Sequence, residues 1–167
     1  MDPLNSKRID AGLHTLYISP LKALTHDIQR NLLAPIDAMG IDITVETRTG
    51  DTPSHKRQRQ RKKPPNILLT TPESLMLLLS YADAKQMFRH LRTVIIDEAH
   101  SLAANKRGDF TTLALARLSA LKPDYRRVGL SATVADPEIL AAWLGPSGEP
   151  VEIHRVTNVV KPQVQLM

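Results

Sequence analysis

Val94-Ile95-Ile96-Asp97-Glu98-Ala99-His100 is the stretch on which the reading of this chain turns. Three β-branched residues in a row predict a buried strand, and the two carboxylates that follow place the first at its tip. A carboxylate there can hold Mg2+ through water while a phosphate completes the metal shell. The second, one residue on, can orient or deprotonate an attacking water. A strand followed by Asp-Glu alone is common and is usually solvating charge. The full tetrad Asp97-Glu98-Ala99-His100 is far more specific.

On either side of this stretch, short apolar runs alternate with helical patterns. Strands are predicted at 13–18, 43–47, 67–70, 93–96 and 127–130, with a weaker sixth at 151–153. Helices are predicted at 21–33, 73–80, 110–121 and 137–144. Such alternation implies an α/β fold, a mostly parallel sheet with helices on both faces. With 167 residues, 42% of them hydrophobic, the chain has the size and core of one domain. Its ends, 1–10 and 158–167, read as loose tails.

Four dipeptides punctuate the helix starts: Ser19-Pro20, Thr52-Pro53, Thr71-Pro72 and Asp136-Pro137. Each sets a capping side chain before a proline, which suits the first helical turn because its missing N–H would have had no intrahelical partner. The first three follow predicted strands closely and are therefore expected at the carboxyl edge of the sheet, where such folds bind ligands. Helix N-termini there present free N–H groups to anions. Ordinary capping explains any one pair. Three on one edge point to a phosphodiester track.

The charge pattern agrees. Lys and Arg number 22 against 17 Asp and Glu, a net +5, and Lys56-Arg57-Gln58-Arg59-Gln60-Arg61-Lys62-Lys63 holds six of the cations. Without that segment 16 cations face 17 carboxylates, so the positive excess is one local patch, either a phosphate footprint or a solvated helix face or loop. Aromatic residues make up only 4%, which disfavours base stacking. There is no cysteine, which excludes disulfides and thiolate zinc sites. The histidines at 14, 26, 55, 90, 100 and 154 show no helical pair at ligand spacing, so a zinc hydrolase is a poor fit. No signal peptide and no apolar run of about 18 residues stands out, and the expectation is a soluble, cytoplasmic (nucleoid-associated) domain with no membrane partner.

Taken together, these segments resemble superfamily 2 helicases of the DEAH-box type. Asp97-Glu98-Ala99-His100 resembles their motif II and Ser131-Ala132-Thr133 their motif III. Ser19-Pro20-Leu21-Lys22-Ala23-Leu24 is similar to motif Ia, Thr49-Gly50-Asp51 to motif Ib, and Thr70-Thr71-Pro72-Glu73-Ser74-Leu75 to motif Ic, all in family order. The wording around them resembles the large helicase-related (Lhr-like) group, especially its DNA-ligase-associated branch. The similarity covers about 13–154, a partial first RecA-like domain, between an N-terminal remnant (1–12) and a tail (155–167) leading toward a second RecA-like domain.

What the resemblance implies is an ATP-dependent helicase, with ATP and Mg2+ as cofactors and single-stranded DNA as partner; a DNA ligase is a further expected partner. By that likeness Asp97 binds Mg2+ through water and Glu98 is the catalytic base. His100, Ser131 and Thr133 couple nucleotide state to the grip on nucleic acid. Ser19, Pro20, Lys22, Arg48, Thr49, Gly50, Thr71 and Pro72 lie along the bound strand, with Arg57, Arg59 and Arg61 supplying phosphate contacts.

One part of the pattern is missing. The glycines at 12, 40, 50, 108, 129, 145 and 148 include no Gly-x-x-x-x-Gly-Lys-Ser/Thr phosphate cradle. The chain is therefore expected to be an internal piece of a helicase, lacking the P-loop strand and inactive as an ATPase by itself. The alternative is a truncated nucleic-acid-binding module without turnover. The strand at 127–130 is expected to present an exposed apolar edge, because in the family it lies beside the P-loop strand.

Overall fold

The β-branched run before the tetrad is the fourth of five parallel strands in a computed structural model that describes residues 11–104, 106–132, 136–145 and 151–155. The strands are β1 (Thr15–Ile18), β2 (Val45–Arg48), β3 (Ile67–Thr70), β4 (Thr93–Ile96) and β5 (Arg126–Gly129), in sheet order β2-β3-β1-β4-β5. Between and after them come α1 (Lys22–Ala38), α2 (Ser54–Lys62), α3 (Pro72–Leu79), α4 (Ala84–Met87), α5 (Ala99–Ala103), α6 (Lys106–Leu121) and α7 (Pro137–Leu144).

Strand alternation divides the core in two. Leu16, Ile18, Leu68, Val94 and Ile96 point to one face and are fully buried, packed with Leu75, Leu78, Phe88, Leu102 and Leu118 from the helical side of α3 to α6. Tyr17, Val45, Ile67 and Leu69 point to the other, against Ile28, Leu32, Leu33 and Ile36 of α1. Coverage on both faces explains why the strands read as continuous apolar runs. The α/β class with a mostly parallel sheet holds.

Several local expectations change. The basic segment is a helix, α2, where sequence left helix or loop open. The first helix runs on to Ala38 through Pro35, past the predicted end at 33. Pro35 is exposed, so the Asn31 carbonyl that it leaves unpaired can be hydrated. The helix predicted from 110 starts at Lys106. Residues 151–153 form no strand. Of the four cap-proline pairs, only Thr71 caps by its side chain, accepting from the Ser74 N–H at 3.4 Å. The first helix begins after Leu21 rather than at Ser19-Pro20, and Asp136 holds the N-cap position of α7 without a side-chain bond. Thr52 turns back instead, its Oγ1 accepting from the Thr49 N–H at 2.9 Å.

The two sheet edges are treated differently. On β2 the outward carbonyls of Val45 and Thr47 accept side-chain bonds from Gln29 (2.9 Å) and Gln60 (3.1 Å), which blocks strand addition there. The opposite edge, β5, pairs only with β4 among the described residues. The expected apolar exposure is met only in part: Leu130, just past β5, is an exposed hydrophobic, whereas Arg126 and Gly129 are exposed and the Arg127 guanidinium reaches the Leu144 carbonyl (3.1 Å) and Ser119 Oγ (2.8 Å).

Candidate functional site

The register aligns Arg48, Thr70, Ile18, Ile96 and Gly129 in one row across the sheet. The residues that follow them, Thr49, Thr71, Ser19, Asp97 and Leu130, therefore form a single carboxyl rim, roughly 19 Å long at about 4.8 Å per strand. The three expected strand-binding segments take three adjacent places. The tetrad and Ser131 take the next two.

Asp97 continues the ladder, its N–H donating to the Ile18 carbonyl at 2.8 Å. The chain then turns sharply: Glu98 has φ 49° and ψ 42°, the left-handed region, and it is the one non-glycine with positive φ among the described residues. Two bonds hold this turn. The Glu98 N–H donates to Asp97 Oδ1 (2.9 Å), and the Ala99 N–H donates to the Leu130 carbonyl (3.0 Å). A β-carbon in this conformation costs about 1–2 kcal/mol, and the strain brings two half-buried carboxylates to the strand tip. Facing them from β1 is Tyr17. Burial first, then the neighbouring Asp97 carboxylate and the Glu98 charge, raise its phenol well above the ordinary tyrosine value.

His100 links the two halves of this end of the rim. Its Nδ1 lies 2.8 Å from Ser131 Oγ, and its Nε2 lies 3.3 Å from Glu98 Oε2. The residues resembling motifs II and III are thus joined by a side-chain bridge as well as by the Ala99–Leu130 backbone bond. Thr133 lies outside the described residues.

At the other end, Lys22 Nζ pairs with Asp51 Oδ2 at 2.9 Å, tying the start of α1 to the turn after β2. Gly50 is open beside it: a β-carbon there would stand 3.7 Å from Lys22 Nζ. Lys22, Gly50 and Asp51 are exposed, whereas Ser19, Pro20, Thr49, Thr71 and Pro72 are buried beneath them. The buried members shape the rim.

Three expected phosphate contacts are otherwise engaged. Arg48, expected along the bound strand, is only 1% exposed and donates to the Arg57 carbonyl at 2.9 Å, which ties β2 to α2. Desolvation lowers the pKa of its guanidinium. Arg59 pairs with Glu46 at 2.6 Å. Arg61 grips both oxygens of Asp83 and stacks 3.8 Å over the Tyr81 ring. Arg57 is half-buried, and the open charge of the segment is carried chiefly by Lys62 and Lys63. A basic run read without its neighbours cannot show which cations already have carboxylates.

Sequence reading also passed over Arg107, at the start of α6. Its Nε lies 2.8 Å from Glu73 Oε1, and its Nη1 donates to the Pro20 carbonyl at 3.0 Å. Its position seven residues after His100 gave no signal, because the contacts come from two other segments of the rim.

This five-stranded parallel sheet with helices on both faces matches the RecA-like core of solved helicases. The model of the DEAD/DEAH box helicase family matches residues 3–141, and the chain belongs to that family. Its relatives include the ATP-dependent helicase Lhr-Core of Methanothermobacter thermautotrophicus, 46% identical over 145 residues, covering 81% of this chain and 17% of that protein. The Lhr helicase/uracil glycosylase of Escherichia coli is 42% identical over 163 residues, covering 91% of this chain and 10% of that protein. Among solved structures, Mycobacterium smegmatis helicase Lhr bound to ssDNA and AMP-PNP matches with a TM-score of 0.73 and 45% identity, covering 80% of this chain and 19% of that one. The chain thus spans less than a fifth of the length of these relatives and corresponds to part of their helicase domain. No helix among the described residues is long and apolar enough to cross a membrane.

Proposed function

We propose that this chain is part of a motor domain that couples Mg-ATP hydrolysis to movement along single-stranded DNA. The observation that carries the reading is the shared rim: the carboxylate pair follows β4, the Ser19-Pro20 connection to Lys22 follows the neighbouring β1, and Thr71 and Thr49-Gly50 lie further along the same edge, so fuel chemistry and strand grip share one rim. Support also comes from the ssDNA and AMP-PNP held by the Mycobacterium smegmatis relative.

The donor set fits a water-mediated metal contact. No group of three or more His, Asp or Glu among the described residues could hold an ion directly, while Asp97 offers a half-exposed carboxylate at the strand tip. With a triphosphate in place, Asp97 would hold Mg2+ through water, and the ion would supply neutralisation of charge on the phosphate oxygens. Glu98, aimed by its left-handed backbone, takes the proton of the attacking water. His100 and Ser131 carry a change at Glu98 to the β5 end of the rim, with Thr133 assigned there by family likeness. Lys22 meets a strand phosphate after exchanging Asp51 for it, Gly50 lets the backbone approach, and Ser19, Pro20, Thr49, Thr71 and Pro72 shape the floor.

By itself the chain binds the strand without hydrolysing ATP, since its sequence holds no phosphate cradle. A second motor domain and a DNA ligase belong to the same proposal as partners.

Titration of the chain with labelled oligothymidylate tests the grip. Lys22→Gln should weaken binding about two- to fivefold, and Asp51→Asn should tighten it by a similar factor, as expected for an exposed ion pair. If neither changes affinity, the strand does not cross this rim. ATP turnover that is stimulated by DNA and lost in Glu98→Gln would contradict the inactivity of the chain alone.

A further inference from the structure

Arg107 joins three elements that are far apart in sequence: the Pro20 carbonyl after β1 (3.0 Å), the Glu73 carboxylate in the first turn of α3 (2.8 Å), and α6 itself. The base of α6 is in turn fixed to α5, the helix that begins in the tetrad. Gly108 packs so closely that a β-carbon there would lie 2.1 Å from the Leu102 carbonyl oxygen. Glu73 sits beside the Thr71-Pro72 cap, at the helix end whose partial positive charge favours an anion. Left unpaired, this carboxylate would repel a phosphate approaching the rim.

We infer that Arg107 is a positioning residue of the nucleic-acid rim: its guanidinium holds the Lys22-bearing connection and the first turn of α3 at a fixed separation and withholds the charge of Glu73 from the bound strand. The inference rests on the strand-binding reading above. The role is indirect, because Nε and Nη1 already face protein oxygens. Lysine could pair with Glu73 but lacks the planar fork needed to serve the Pro20 carbonyl as well.

The test uses the 167-residue chain and oligothymidylate binding across a salt series, with thermal melting alongside. Arg107→Ala should weaken binding about tenfold at low salt. Adding Glu73→Gln to that variant should restore most of the loss, since the uncovered charge is then gone. Arg107→Lys should fall between wild type and Arg107→Ala. The slope of log K against log salt should stay at its wild-type value, because no phosphate contact has been removed. A slope lower by about 0.7 without rescue would make Arg107 a direct phosphate contact and overturn the inference. An unchanged affinity in Arg107→Ala, with or without a lower melting temperature, would overturn it too. Failure of the wild-type chain to bind the strand would refute the strand-binding reading and this inference with it, whereas normal wild-type binding with an inert Arg107→Ala refutes the inference alone.

Discussion

Neutralising different cations of α2 should have opposite consequences for DNA binding and for folding. Six cations lie between Lys56 and Lys63, and composition alone would assign each a phosphate. For three such contacts removed, a single strand loses about two units of salt slope, at roughly 0.7 per contact. The structure redistributes that expectation. Arg59 is held by Glu46 at 2.6 Å and Arg61 by Asp83 at 2.8 Å, so replacing both by glutamine should leave the slope nearly unchanged. The cost should appear as stability instead. The Arg61 stack on Tyr81 and its partly exposed ion pair together contribute about 1 kcal/mol, a melting shift of about 3 °C for a domain of this size. Lys62→Gln with Lys63→Gln should do the reverse, flattening the slope by as much as about 1.4 units with little effect on melting. Fluorescence anisotropy against oligothymidylate over a salt series, paired with thermal melts, reads both quantities. If the arginine pair flattens the slope as much as the lysine set does, the assignment of Arg59 and Arg61 to internal carboxylates is wrong.

Two further outcomes follow from the β4 and β1 strand ends. Glu98→Gly should be more stable than Glu98→Ala by about 1 kcal/mol, because only glycine occupies the left-handed turn without strain; equal denaturant midpoints would remove that turn from the account. Tyr17 titrates above its ordinary value of about 10 in the folded chain, so the stability tied to its neutral phenol is complete below that pH and is lost as pH rises past it. Tyr17→Phe should therefore make the alkaline fall in unfolding free energy shallower, and an identical pH profile would refute the burial and carboxylate contacts given to Tyr17.

Much of the fold was legible because it follows from local patterns. β-branched and leucine-rich runs gave all five strands within two residues of their observed limits, and Thr71-Pro72 marked a real helix start. The first helix runs past its predicted end at 33 because the turn that holds Pro35 faces water, which nothing local in the chain shows. Val151-Glu152-Ile153 misled because strand propensity does not supply a pairing partner. The tetrad was recognisable as a motif, but its left-handed kink was not, since one of the two bonds that hold it comes from the Leu130 carbonyl just past β5, 31 residues after Ala99.

Sequence by itself determined the class of fold, the order of the helicase motifs and the placing of excess positive charge in one segment, because each depends on residues close together in the chain. Tertiary structure decided which charges remain free. Parallel pairing brought Glu46, Asp83, Glu73 and Asp51 to Arg59, Arg61, Arg107 and Lys22 across separations of 13 to 34 residues. Whether a cation faces a phosphate or a carboxylate of its own chain is a matter of distance in space, and no local pattern encodes that distance.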